Sequence, residues 1–200
     1  MDARIAAKEP RAARRVKWTR LRLPKTLLCS VVALSCLTAF GKPPSAGPYQ
    51  IEAVYLYDFS KFVAWPKGAA RAQNEPFSIC VLGADPFGAV LDATLSGENI
   101  QGNSLVAKRI SKPEEAAGCK IVFVSSSEDD RLKDILATFD GANILTVSDI
   151  HNFSRRGGMI QFVLEGGKVR FEVNVTNAAN AGLTLSADLL QVALAVRKES

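Results

Sequence analysis

The sequence predicts a single α/β domain of three layers, with a mainly parallel central sheet and a C-terminal antiparallel hairpin. Apolar segments of strand length alternate with segments of helix length, which is the pattern of a parallel sheet covered by helices. The pair Gly166-Gly167 separates the last two strand segments and predicts the hairpin turn. Residues 47–200 are enough for one such domain with one ordinary core.

The first predicted helix spans residues 50–64. Five of the chain's fifteen aromatic residues fall in the segment 55–66, and this density marks an anchor for the fold. The apolar positions 51, 54, 55, 59, 62 and 63 have the spacing of a helix with one buried face. Pro66 is expected to end the helix, since proline lacks the amide donor and disfavours helical geometry in the residue before it.

The later elements follow from the same two periodicities. Strands are predicted at 77–83, 103–109, 120–125, 143–148, 159–164 and 168–174, and further helices at 86–95, 128–139 and 186–198. Asp85 is expected to cap the second helix, with Pro86 as its first residue. Ser126 or Ser127 is expected to cap the third, with acidic side chains in its first turn.

The charge distribution separates a leader from the domain. Residues 1–39 contain nine Lys or Arg and two acidic residues, whereas residues 40–200 contain 16 basic and 18 acidic residues. The overall charge of +5 therefore belongs to the N-terminus, and the folded part has no nucleic-acid-binding footprint. A basic segment followed by a short apolar run at 26–40 is typical of a signal peptide. We expect residues 1–46 to be a signal peptide and linker, and the domain to be periplasmic.

Three alternatives for the leader stay open. Arg14-Arg15 fits a twin-arginine signal. Cys36 follows a poor version of the small-residue segment that precedes a lipidated cysteine. Trp18 and the long basic segment fit an uncleaved anchor at the membrane interface.

Two cysteines remain after the leader, Cys80 and Cys119, and each lies at a predicted strand. An even count of cysteines in an exported protein favours a disulfide, which here would close a loop of about 40 residues. The alternative is two free buried cysteines, which would behave as small apolar residues.

The chain offers little catalytic chemistry. Its one histidine, His151, excludes a multi-histidine metal site and any Ser-His-Asp relay that does not use His151. His151 lies in a predicted turn, where an exposed loop residue is expected. The turn after Leu82 lacks the lysine of a phosphate-binding loop and the glycine spacing of a dinucleotide site. We therefore expect no enzymatic activity and no cofactor.

Two surfaces are candidates for binding. Asp85, Ser125 and Asp149 each follow a predicted parallel strand, and such loops converge on a crevice that often binds small molecules. The last predicted helix has more apolar positions than one buried stripe requires, and these include Leu189, Leu190, Val192, Leu194 and Val196. The excess predicts a partner-binding surface, although a helix buried on two sides would show it as well.

Six segments, in order, resemble the YfiR-like family of bacterial periplasmic proteins over about residues 50–198. They read YLYDFSKFVAWP at 55–66, PFSICVLGADPFG at 76–88, IQG at 100–102, GCKIVFVS at 118–125, ILTVSD at 144–149 with GGMIQF at 157–162, and VRFEVN at 169–174 with AGLTLS at 181–186. Cys80 and Cys119 match a cysteine pair of the family, so the resemblance also implies a disulfide. A second pair, found in some members near residues 148–158, is absent from this sequence.

The resemblance implies a periplasmic regulatory protein that holds the outer part of an inner-membrane diguanylate cyclase and keeps cyclic-di-GMP synthesis low. The partner would be the periplasmic domain of such a cyclase or of a sensor kinase. An outer-membrane lipoprotein and a second copy of the chain are further candidate partners. A small-ligand sensor or solute-binding module of a membrane signalling system remains the alternative function.

We expect the leader to be cleaved between Ala39 and Pro48, because small residues follow the apolar run there. N-terminal sequencing of the protein from the periplasmic fraction measures the position. A full-length product in the cytoplasm would contradict export.

Overall fold

The computed structural model describes residues 46–66 and 75–198. The expected signal peptide lies outside these residues, together with most of the predicted cleavage region and the three alternatives for the leader. Within the two described ranges, no helix has the length and apolar character needed to span a membrane.

Most strands of the described residues belong to one central sheet. The strands are β1 (Val63–Ala64), β2 (Phe77–Leu82), β3 (Asn99–Ile100), β4 (Asn103–Ile110), β5 (Cys119–Val124), β6 (Leu145–Ser148), β7 (Ile160–Glu165), β8 (Lys168–Asn174), β9 (Thr184–Leu185) and β10 (Ala195–Arg197). Eight of them, in the described part, form the order β10-β8-β7-β6-β5-β2-β4-β3, and β1 pairs with β9 separately. The strands from β4 to β7 in this order are mutually parallel, and β8 returns antiparallel to β7. The predicted parallel sheet and hairpin are therefore confirmed.

Helices cover both faces of this sheet, which gives the predicted three layers. The α-helices of the described residues are α1 (Pro48–Phe62), α2 (Ala89–Leu95), α3 (Leu132–Thr138), α4 (Val175–Asn180) and α5 (Ala187–Val192); 3-10 turns occupy Pro113–Ala116, Ser126–Arg131 and Phe153–Arg155. Alternate residues of each central strand enter different cores. Ile79 and Val81 of β2 face the core beneath α1 and α2, whereas Cys80 and Leu82 face the core beneath α3.

Helix α1 is anchored by aromatic residues, as its sequence predicts. The Phe59 ring lies 5.9 Å from Phe162 and 5.2 Å from Phe171, between centroids, and Tyr55 lies 5.3 Å from Phe171. The buried face is rotated from the predicted one, because Val54 and Phe62 are exposed while Leu56 and the carboxylate Glu52 are buried. The helix ends at Phe62, before Pro66, since Val63 leaves it to pair with Leu185.

The predicted helix at 186–198 is wrong in its second half. Ser186 caps α5 by accepting a hydrogen bond from the Leu189 amide, and the helix ends at Val192. The next residues are extended, and β10 adds to the sheet parallel to β8. The edge of β8 would otherwise leave backbone groups without partners, and pairing with β10 satisfies them.

Two other helices begin later than predicted. Helix α2 begins at Ala89, not at 86, because Gly88 has φ +52° and Asp85 bonds the Phe87 amide in a turn that precedes the helix. Helix α3 begins at Leu132, not at 128, because the 3-10 turn Ser126–Arg131 precedes it. The cap of that turn is Ser125, not Ser126 or Ser127. Helix α4 was not predicted.

A disulfide joins Cys80 of β2 to Cys119 of β5, with 5.9 Å between the two Cα atoms. Both residues are buried on the α3 face of the sheet. The bond therefore links two neighbouring central strands 39 residues apart in the chain.

We expect the protein from the periplasm to lack two hydrogens by mass spectrometry without reductant. The substitution Cys80→Ala/Cys119→Ala should lower the free energy of unfolding by about 4 kcal/mol, because the cross-link restricts the unfolded chain. Urea unfolding measures this loss, and reductant should have no further effect on the variant. Two freely alkylated thiols in native protein would contradict the disulfide.

A partly buried polar network holds β10 to β8. The Arg197 guanidinium donates to Glu172 Oε2 from Nε at 3.0 Å and from Nη2 at 2.7 Å. The same oxygen accepts from the Ser154 hydroxyl at 3.1 Å, and Asn174 donates to the Ser154 carbonyl. One carboxylate thus ties the last strand to the 3-10 turn after β6.

The substitution Arg197→Met should destabilise the protein by about 1–3 kcal/mol, since it leaves a mostly buried carboxylate without its charged partner. Amide hydrogen exchange should accelerate first at residues 195–197. The matched control is Arg156→Met, which removes a pair with Asp129 that is about half exposed and should cost less than about 1 kcal/mol. Equal losses in the two variants would refute the anchoring role.

Candidate functional site

The carboxyl ends of the parallel strands meet at one edge of the sheet, where a ligand crevice was predicted. The chain passes from β2 to β4 on one side and then to β5 on the other, so the strand order reverses between β2 and β5. Sheets of this type bind ligands at the carboxyl edge where the order reverses. Asp85 and Ser125 follow β2 and β5, and Asp149 follows β6.

Asp85 forms structural contacts at this edge. Its Oδ1 accepts from the Phe87 amide at 2.8 Å, and its Oδ2 accepts from Arg109 Nε at 2.8 Å. Arg109 also binds both carboxylate oxygens of Asp92, and these ion pairs hold the pKa of Asp92 below its usual range, chiefly through the hydrogen bonds. Asp85 therefore fixes the turn between β2 and α2 to β4.

Side chains of the chain itself fill the space where the strand order reverses. The Ser125 hydroxyl is buried and accepts from the Ser127 amide at 3.3 Å. The Ser127 hydroxyl accepts from the Ala84 amide at 3.0 Å and donates to Glu128 Oε1 at 3.1 Å. A Cβ atom placed on Gly83 would collide with Ser127 and Glu128. Asp85 and Ser125 are thus close to this filled turn, and the contacts described for both are internal.

Asp149 belongs to a different cluster, formed with the start of α1. The Tyr49 hydroxyl donates to Asp149 Oδ2 at 3.1 Å, and the Tyr49 ring meets Phe87 edge-on at 5.7 Å. Glu52, one turn further along α1, is only 5% exposed. Glu52 Oε2 and Asp149 Oδ1 are buried and have no hydrogen-bond partner among the described residues.

The electrostatics of this acidic cluster favour its protonated forms. Burial, followed by the charge of Asp149, raises the pKa of Glu52 to about 8. Burial also raises the pKa of Asp149, against the opposing effect of the hydrogen bond from Tyr49. Burial and Asp149 together raise the pKa of Tyr49 to about 12. The described residues contain no group of three or more His, Cys, Asp or Glu that could hold a metal ion.

Sequence reasoning found Asp149 but missed Tyr49 and Glu52. Positions 52, 56, 59 and 63 have helical spacing and form much of the buried face of α1. The sequence did contain an indication that Glu52 is buried, because it has the helical spacing of the apolar residues Leu56, Phe59 and Val63. His151, two residues beyond Asp149, is exposed as expected.

The predicted partner-binding residues divide between the core and the surface. Leu189 is buried and Leu190 is half-buried, and both pack with the core beneath α1. Val192, Leu194 and Val196 are 59%, 36% and 42% exposed, and they come from the end of α5, the connection and β10. We call these three residues the C-terminal apolar surface. The partner-binding set is thus not one helix face, because Leu194 and Val196 lie beyond the helix.

Two solved structures are similar to this chain. One is a conserved domain protein from Vibrio cholerae, 13% identical, with a TM-score of 0.52 over 76% of this chain and 61% of that chain. The other is the ABC domain in complex with L-Trp from Streptococcus pneumoniae, 11% identical, with a TM-score of 0.49 over 74% of this chain and 60% of that chain. This chain thus spans about three fifths of each protein, and the Vibrio likeness shows the α/β fold alone.

The family comparison covers nearly all of the described domain. The model of the YfiR/HmsC-like family matches residues 49–194. The match begins at the first turn of α1 and ends just before β10, so it includes both the aromatic anchor and the disulfide. The chain therefore belongs to the YfiR/HmsC-like family.

Proposed function

We propose that this protein is a periplasmic regulatory binding protein that represses an inner-membrane diguanylate cyclase and so lowers cyclic-di-GMP synthesis. Membership of the YfiR/HmsC-like family, matched over residues 49–194, is the observation that carries the proposal. The family is one of regulatory, non-catalytic proteins of periplasmic cyclic-di-GMP signalling. The leader expected at residues 1–46 agrees with that location.

Repression by binding requires a difference in affinity between two states of the partner. A protein that binds the inactive cyclase more tightly than the active one shifts the equilibrium toward the inactive state without any chemical step. The partner's extracytoplasmic domain is the part that a periplasmic protein can reach.

The C-terminal apolar surface supports this mechanism. Val192, Leu194 and Val196 expose apolar side chains at one end of the sheet, where β10 forms the edge. Apolar side chains at an exposed edge are typical of a protein interface, because partner binding removes them from water. The ion pair of Arg197 with Glu172 holds this edge in place, so little ordering would be needed on binding.

The alternative function is a small-ligand sensor of a membrane signalling system. Its predicted crevice residues Asp85 and Ser125 make internal hydrogen bonds, and Ser127 and Glu128 fill the neighbouring space. The repressor is therefore the function that the geometry supports better.

Deletion of the gene should raise cyclic-di-GMP and surface attachment, and the wild-type gene should restore both. Val192→Lys and Val192→Lys/Val196→Lys should fail to restore them, because a charge in an apolar interface weakens binding by about 1–3 kcal/mol, or about 5- to 150-fold. The matched control is Leu164→Lys, at the turn end of the β7–β8 hairpin, where Leu164 is 65% exposed. Cyclic-di-GMP is measured by mass spectrometry, and immunoblots confirm equal amounts of protein in the periplasm.

One outcome would contradict the proposed contact surface, and another would separate the two functions. Loss of repression by Leu164→Lys as well as by Val192→Lys would exclude the C-terminal apolar surface as the specific contact. An unchanged cyclic-di-GMP level after deletion, with tight binding of a small metabolite by the purified protein, would exclude repression and establish the sensor.

A further inference from the structure

We propose that Glu52 keeps a proton in the folded protein, beside the carboxyl group of Asp149, and that loss of this proton loosens the start of α1 from the sheet. The two carboxyl groups come from distant parts of the chain, the first turns of α1 and the segment after β6. The proposal is independent of the cyclase and concerns a pH response of the fold itself.

The burial of the two carboxyl groups is unfavourable if both are ionised. Glu52 Oε2 and Asp149 Oδ1 are out of contact with solvent and have no partner among the described residues. Tyr49 satisfies only the other oxygen of Asp149. Ionised oxygens buried without partners are costly, and a buried carboxyl group near another carboxyl group avoids that cost when it keeps its proton.

A proton fits this cluster better than a bound cation. Calcium and magnesium take six or more oxygen ligands, and the described residues offer no group of three or more ligating side chains here. A hydrated ion or an ammonium group also needs room, whereas the two oxygens are already buried. A proton needs no cavity, and it removes the charge from a carboxyl group whose oxygen has no partner.

The charges around Glu52 come from one side. Asp149 is the charged group that acts on Glu52, and Tyr49 faces both. The other charged side chains packed near α1 in the described residues have other partners or are exposed: Asp92 of α2 binds Arg109, Asp188 of α5 is exposed, and Lys168, Arg170 and Glu172 of β8 alternate with buried residues that face α1. Glu98, between α2 and β3, accepts a hydrogen bond from the Tyr57 hydroxyl, more than one turn beyond Glu52.

The direction of the pH response follows from proton binding. The pKa of Glu52 is raised by burial, and next by Asp149, from 4.5 to about 8 in the folded state. The folded protein therefore binds this proton more tightly than the unfolded chain does, and the proton on Glu52 stabilises the fold fully below about pH 4.5. That stability is lost as the pH rises through about 8, where Glu52 becomes a buried negative charge in the field of Asp149.

The test compares wild-type protein, purified from the periplasm, with Glu52→Gln, which keeps the shape of the protonated acid. Urea midpoints are measured from pH 5 to pH 9. The wild-type midpoint should fall relative to that of Glu52→Gln as the pH rises, and amides 49–56 should exchange faster in the wild type than in the variant at pH 9. The matched control is Glu114→Gln, an exposed carboxyl group, which should follow the wild type throughout.

Carbon-13 NMR of the Glu52 carboxyl group keeps the proposal testable if a variant fails to fold. The expected result is a Glu52 pKa near 8 that falls in Asp149→Asn. An ordinary glutamate pKa would overturn the proposal. Stabilisation of the wild type, but not of Glu52→Gln, by calcium or methylammonium at constant pH would also overturn it and would show a cation site.

Discussion

The contact on which the rest of the structure depends is the packing of α1 against the β7–β8 hairpin. Tyr55 and Phe59 lie on Phe162 and Phe171, with ring centroids 5.2–6.0 Å apart. Large aromatic side chains bury much apolar area, and ring pairs at these distances add about 0.5–1.5 kcal/mol each beyond that burial. The contact joins the first helix of the domain to its last hairpin, so it closes the α1 side of the sheet.

The position of α1 also creates the acidic cluster. Once Phe59 is fixed on the hairpin, the helix directs Glu52, about two turns earlier, toward the carboxyl edge of the sheet. Glu52 lies on the same buried face as Leu56 and Phe59, so it cannot turn to solvent without displacing the aromatic anchor. The energetic cost of burying a carboxyl group at this point is thus imposed by apolar packing along the same helix, and protonation reduces it.

The sequence predicts the central strands well because their apolar residues are consecutive and separated by turn residues, as in 77–83 and 120–125. It fails where a distant contact decides between two local structures. The residues from Ala193 to Val196 fit a helix or a strand equally well, and the Arg197–Glu172 pair across 25 positions selects the strand. The candidate site was predicted only in part for the same reason. The position of Asp149 directly after a strand can be predicted from the sequence, whereas the burial of Glu52 depends on which face of α1 meets the sheet.

The C-terminal apolar surface and α1 are connected through one residue. The Leu194 amide donates to the Phe171 carbonyl at 2.7 Å, which starts the pairing of β10 with β8. The Phe171 ring is in turn held between Tyr55 and Phe59 of α1. A partner that binds Leu194 and Val196 would therefore contact the segment that pairs with β8, the strand that carries Phe171 of the aromatic anchor. Displacement of α1 would act on the edge strand through the same residue, because close-packed protein interiors transmit strain between neighbouring side chains.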